Sequence, residues 1–337
     1  MKIAVDAMGG DYGLKPTVEG AIAAVKELGI DVGLVGDETQ IREQLRRVGC
    51  SDARVMVHHA PQVVGMHEPP AQIARKKRDS SVWIATEMVK HGEASAVISA
   101  GNTGASMVAS FFVLGVIKGV ERPAIAATLP TLTGTAVMLD VGANVDCTAK
   151  HLEQFALMGN EYGKHLVGKP DPRVALLSIG EEESKGNEVT KEAFKALKAS
   201  PLNFIGNVEG RDVYSGVADV IVCDGFIGNI ALKISEGLAD TIKKILLREV
   251  ARSRLGKLSY LFLAGPLVRL RRRVDYAEFG GAPLLGVNGI SIVCHGRSSA
   301  KAIKNAIVRA KSLAESRLNE LIQRDIEESL ARRPKAS

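Results

Sequence analysis

What most constrains this chain is a repeated pattern: a short apolar run, a glycine-bearing polar loop, then a helical stretch. The runs predict strands at Lys2–Asp6, Asp31–Val35, Arg54–His58, Ala96–Ser99, Ala124–Thr128, Thr135–Asp140, Arg173–Ser178, Asn203–Gly206, Asp219–Cys223 and Ile290–Cys294, with helices between most of them. Near-continuous apolar strands alternating with helices are buried on both faces. The pattern therefore predicts a three-layer α/β fold, a mostly parallel sheet with helices on both sides. No internal repeat or low-complexity segment interrupts it apart from a short basic tail, so residues 1–337 are expected to form one α/β unit.

In open parallel sheets, ligands bind beyond the carboxyl ends of the strands. Those positions read Asp6-Ala-Met-Gly-Gly-Asp11, Ser99-Ala-Gly-Asn-Thr-Gly-Ala105, Asp140-Val-Gly-Ala-Asn144, Ile179-Gly-Glu-Glu-Glu-Ser-Lys-Gly-Asn187, Asp224-Gly-Phe-Ile-Gly-Asn229 and His295-Gly-Arg-Ser-Ser299. Glycine lets backbone N–H groups approach an anion, and a following helix N-terminus adds partial positive charge. Any one such loop is ordinary turn and capping chemistry. Six at one sheet edge predict a polar, anion-binding cleft. Gly9, Gly10, Asn102, Thr103, Gly104, Asn144 and Asp224 are its candidate phosphate- and substrate-binding positions. No loop carries the Walker pattern or GxGxxG after a strand, which argues against P-loop NTPases and the usual dinucleotide dehydrogenases.

Four residues are candidates for the chemistry itself. Lys185, between three glutamates and Gly186-Asn187, reads as a cation for a phosphate or a developing oxyanion, or as a surface lysine answering local acids. Asn187 and Asn229 read as hydrogen-bond donors. His295, ending the last strand, could protonate a leaving group or be a satisfied half-buried histidine. Asp224 could orient a ligand or a lysine, or cap the next helix. Cys147 and Cys294 lack a sequence-adjacent base, so a covalent cysteine is the lesser reading. His58, His59 and His67 have no metal-like partner set and no CxxC occurs, so neither metal nor cofactor is expected.

The net charge of +6 is concentrated. Between Arg248 and Arg273, seven arginines and one lysine face a single acid, Glu249, leaving the rest near neutral. One basic segment argues for one docking surface rather than for nucleic acid. Apolar residues recur with helical spacing from Ile234 to Val250, and an apolar tip at Tyr260–Leu263 follows, flanked by arginines. Residues 234–275 are therefore expected to form a projecting amphipathic helical hairpin, with Arg254, Leu261, Phe262, Leu263, Arg271 and Arg272 as its membrane- or carrier-docking positions. Scattered cysteines, an acid six residues in, and a longest apolar stretch confined to 105–117 are expected of a cytoplasmic chain.

Taken together, the loops resemble those of the bacterial phosphate acyltransferases of phospholipid synthesis. The likeness is carried by Met1-Lys-Ile-Ala-Val-Asp-Ala-Met-Gly-Gly-Asp-Tyr-Gly13, Ser99–Ala105, Arg122-Pro123-Ala124-Ile125, Leu139–Cys147, Gly180–Asn187, Gly206–Gly210, Cys223–Asn229, Phe279–Gly289 and Cys294–Ser298, covering roughly residues 1–310. Leu14 departs from it where a proline is expected. The resemblance implies the fold of phosphotransacetylases and isopropylmalate dehydrogenases, and adds Gly281 to the substrate-binding set. It implies a homodimer that associates peripherally with the membrane and takes long-chain acyl groups from acyl carrier protein to inorganic phosphate. The acyl phosphate would feed a membrane glycerol-3-phosphate acyltransferase. Direct attack of phosphate on the thioester is the expected mechanism, with a phosphotransacetylase-like use of acyl-CoA as the alternative.

Overall fold

The structure, a computed structural model, describes residues 1–252, 265 and 276–332. Its elements are β1 (Lys2–Asp6), α1 (Leu14–Leu28), β2 (Asp31–Gly36), α2 (Glu38–Arg47), β3 (Val55–His59), α3 (Ile73–Lys76), α4 (Ser81–Lys90), β4 (Ala96–Ser99), α5 (Thr103–Ala109), β5 (Ala124–Thr131), β6 (Gly134–Leu139), α6 (Ala149–Leu166), β7 (Val174–Leu177), α7 (Glu188–Lys198), β8 (Phe204–Val208), β9 (Val220–Val222), α8 (Gly225–Arg252), α9 (Tyr276–Phe279), β10 (Ala282–Leu285), β11 (Ser291–Val293), α10 (Ala300–Ser316) and α11 (Leu318–Arg332). The strands form one sheet in the order β3-β2-β1-β4-β11-β10-β5-β6-β9-β7-β8.

The sheet is two parallel halves of opposite direction. β3, β2, β1, β4 and β11 run one way, and β6, β9, β7 and β8 run the other. β10 and β5, antiparallel to their neighbours, join them. The register brings the two carboxyl ends to one level. Pro283 of β10 lies opposite Ile292 near the end of β11, and Leu284 lies opposite Ile125. Ala126, next along β5, lies opposite Leu139, the last residue of β6. The six loops therefore do not share one edge, as the sequence suggested; they come from two opposed edges that meet at the centre.

Strands β1, β4, β7 and β9 are buried along nearly their whole length, as the apolar runs required. One apolar core lies under both halves and is covered by α1, α2, α6, α7, α10 and α11. Its deepest element is α6, where Phe155, Met158 and Tyr162 are fully buried. The opposite face carries smaller cores under α4, α5 and the start of α8. Among the described residues no helix is long and apolar enough to cross a membrane. The tip of the expected hairpin, including Arg254, Leu261, Phe262, Leu263, Arg271 and Arg272, lies outside the described residues.

Candidate active site

A cavity of about 420 Å³ opens where the two edges meet. The β4 loop contributes Thr103 and Gly104, the β6 loop Val141 and Gly142, and the β11 loop His295 and Ser298. The first turns of α8 contribute Asn229, Leu232, Lys233 and Glu236. Ile125, Ala127, Phe279, Ala282 and Val293 supply apolar wall.

A buried carboxylate holds the second-half loops. Asp140, with no exposed surface, accepts hydrogen bonds from the N–H groups of Ile125 (3.0 Å), Gly142 (3.2 Å), Ala143 (3.0 Å) and Asn144 (2.7 Å) and from Asn144 Nδ2 (2.9 Å). Burial pushes its carboxyl above the ordinary range while these donors oppose the shift. Asn144 passes the constraint on: its carbonyl accepts the N–H of Gly225 at 2.7 Å, and Nδ2 also donates to Pro123 O at 2.8 Å. Gly228 seats α8 here, because a Cβ on it would lie 1.9 Å from Asp140 O. The first-half loops are tied likewise. Ser99 Oγ donates to buried Asp6 Oδ2 at 2.7 Å, Gly101 N donates to Ser99 Oγ at 3.1 Å, and Asp11 N donates to Gly296 O at 2.7 Å.

Of the candidate residues, Thr103, Gly104, Asn229, Gly281 and His295 line the cavity. Gly9 and Gly10 stand behind them, packed against Gly101 and Gly296. Asn102 caps α5 by accepting the N–H of Ala105 (3.1 Å), and its Nδ2 donates to Met66 O and Glu68 O. Asn144 is consumed in the Asp140 network. Asp224 accepts the N–H of Ile227 at 2.8 Å, the capping alternative. Asn187 caps α7 by accepting the N–H of Thr190 at 2.9 Å. Lys185 is exposed beside Gly180, at the carboxyl end of β7, outside the cavity. Among the described residues no cluster of His, Cys, Asp and Glu could hold a metal ion.

The cavity's own cation went unread in the sequence. Lys233 Nζ is held 2.9 Å from Glu236 Oε2, and the same carboxylate oxygen lies 3.9 Å from His295 Nε2. Asn229, Lys233 and Glu236 follow at intervals of four and three on one helix face, a spacing that offered the signal. His295 Nδ1 accepts the N–H of Arg297 at 3.0 Å, so the neutral ring carries its proton on Nε2. Burial first, then the Lys233 cation, holds its pKa below the usual imidazole value. The thiols are suppressed: burial pushes Cys294 up to about 12 and Cys147 to about 11.

The chain matches the model of a family described as fatty acid synthesis protein over residues 1–321. It is 52% identical over 329 residues to a phosphate acyltransferase of Trichlorobacter lovleyi, covering 98% of this chain and 95% of that protein. To a phosphate acyltransferase of Geobacter sulfurreducens it is 50% identical over 327 residues, covering 97% and 94%. A phosphotransacetylase from Streptococcus pyogenes shares the fold at a TM-score of 0.65 and 20% identity, over 94% of each chain.

Proposed function

Since the chain belongs to the fatty acid synthesis protein family, among its phosphate acyltransferases, we propose that it moves a fatty acyl group from the thioester of acyl carrier protein to inorganic phosphate, releasing acyl phosphate for phospholipid synthesis. The observation that supports this most is the cavity itself. A rim with one lysine, one histidine and polar loop ends stands over an apolar wall, which suits an anion meeting an acyl chain.

A phosphate oxygen attacks the thioester carbonyl carbon, the tetrahedral oxyanion collapses, and the C–S bond breaks with its electron pair on sulfur. Positioning supplies most of the acceleration. Lys233 offsets the charge of phosphate and oxyanion, and Thr103 and Asn229 offer donors beside it. A thiol leaving group with a pKa of roughly 8.5 departs as the thiolate without prior protonation; the neutral His295 ring offers its Nε2–H as a hydrogen-bond donor to it, and solvent supplies the proton afterwards. Raised pKa values at Cys147 and Cys294 favour direct attack over an acyl-enzyme. Lys185 and Asn187 remain proposed anion contacts, on the β7 loop two strands along the same edge. The decisive test traps acyl phosphate as hydroxamate. Product from hexadecanoyl-acyl carrier protein and phosphate is expected. Product from short acyl-CoA alone would make the enzyme phosphotransacetylase-like, and none from either donor would end the catalytic reading.

A homodimer and peripheral membrane contact belong to the same proposal. Ile227, Ile230, Ile234, Leu238, Ile242 and Ile245 form an exposed apolar row along α8, which a second copy of the chain would cover. Light scattering of the full chain should give a dimer. Liposome co-sedimentation should be lost on Leu261→Asp with Phe262→Asp while carrier-dependent turnover persists; the reverse pattern would assign these positions to carrier docking.

A further inference from the structure

The cavity crosses the sheet. Ala127 and Thr128 are consecutive on β5 and so point to opposite faces, yet both line it. Ala127 belongs to the apolar core on the α8 side. Thr128 turns to the other face, where its Oγ1 lies 3.5 Å from Arg309 NH1 on α10. Leu232 of α8 and Ala302 of α10, from the two helical layers, are both lining residues.

The sheet permits this crossing because β10 starts late. Its first residue, Ala282, pairs with Val293, where β11 ends. The register through Leu284 and Ile125 places Ala282 across from Ala127, while β5 runs on to Thr131. Beyond that level no strand among the described residues lies between β11 and β5, and a notch is left. Gly281 keeps it open: at φ +77° a Cβ would meet Ile292 Cγ2 at 2.7 Å and Cys294 Sγ at 2.9 Å. Small side chains at Ala127, Ala282 and Ala302 line the rest. At the far side, Arg309 also donates to the hydroxyl of buried Tyr162. An alkyl terminus gains nothing from displacing such a polar pair, which would lose its partners.

We propose that this notch is the acyl-chain tunnel. The chain enters from the Lys233–His295 rim, threads the sheet between Gly281 and Thr128, and ends against Ala302, Phe279 and the Thr128–Arg309 pair, which set the longest chain accepted. The inference rests on the acyl-transfer reading above. At about 420 Å³ the cavity is larger than an acetyl group and a phosphate need, which suits a longer acyl chain.

Chain-length selectivity tests it, using octanoyl- and hexadecanoyl-acyl carrier protein with inorganic phosphate. Ala302→Leu should lower the hexadecanoyl-to-octanoyl ratio of kcat/KM by about tenfold or more. Phe279→Ala should move the preference the opposite way, towards longer chains. Melting temperatures establish that each variant is folded. Ratios equal to that of the unmodified chain in both folded variants would place the acyl group elsewhere and overturn the tunnel, while leaving acyl transfer intact. No acyl phosphate from the unmodified chain with either donor would instead remove the acyl-transfer reading, and the tunnel with it.

Discussion

Replacing Lys233 with alanine is expected to lower kcat for acyl phosphate formation by about 10²- to 10³-fold, the usual loss when one group stabilising a transition-state charge is removed. The lysine projects into the cavity with its ammonium 2.9 Å from Glu236. Its side chain is 53% exposed, and an exposed pair of this kind contributes little to stability, about 0–1 kcal/mol. The melting temperature should therefore barely move, which separates a chemical loss from a folding loss. Lys233→Arg should recover part of the rate, since charge returns with altered geometry. Lys185→Ala provides the contrast. Standing outside the cavity, it is expected to raise the KM for phosphate more than it lowers kcat. Full turnover in Lys233→Ala, with kcat lost in Lys185→Ala, would assign the catalytic cation to the β7 loop.

Asp140→Ala should show the largest stability effect. The substitution leaves five N–H donors without their acceptor: four backbone groups and Asn144 Nδ2. Each buried donor left unsatisfied costs about 1–3 kcal/mol, less whatever water and relaxation recover. A net loss of about 3–5 kcal/mol is expected once that recovery is counted over the five donors. For a chain of 337 residues that corresponds to a fall in Tm of roughly 4–7 °C. Thermal and urea unfolding measure it directly. Residual activity at low temperature should also drop, because Gly142 and the start of α8 lose their fixed positions. A Tm within a degree or two of the parent would show that the loop holds its shape without the carboxylate.

Much of the architecture was legible because burial leaves a local signature. Strands such as Ile3–Val5 and Ala96–Ile98 are apolar at every position, and a strand covered on both faces requires that. β10 was not legible. It has four residues, contains Pro283, and divides its pairing between two neighbours, with 282–283 on β11 and 284–285 on β5. Nothing in Ala-Pro-Leu-Leu announces that. Without β10 the reversal of sheet direction is invisible, and the six loops read as one edge instead of two.

The site divides along the same line. Thr103, Gly104, Asn229 and His295, singled out from the sequence, do line the cavity, because turn and anion chemistry are written in neighbouring residues. Asn102, Asn144 and Asp224 looked equally suitable, but the fold spends them on caps and on the Asp140 network. A side-chain amide or carboxylate is chemically the same whether it meets a ligand or a helix N-terminus, so only its surroundings choose. Lys233 reaches the cavity because Gly228 lets α8 sit against Asp140, and Gly281 keeps the sheet open beside it. Sequence determined the layers, the polar loops and the family, since these depend on local periodicity and near neighbours. Tertiary structure decided which cation faces the cavity and where the sheet leaves a notch, since the first depends on Gly228 meeting Asp140 and the second on β10 pairing with both β11 and β5.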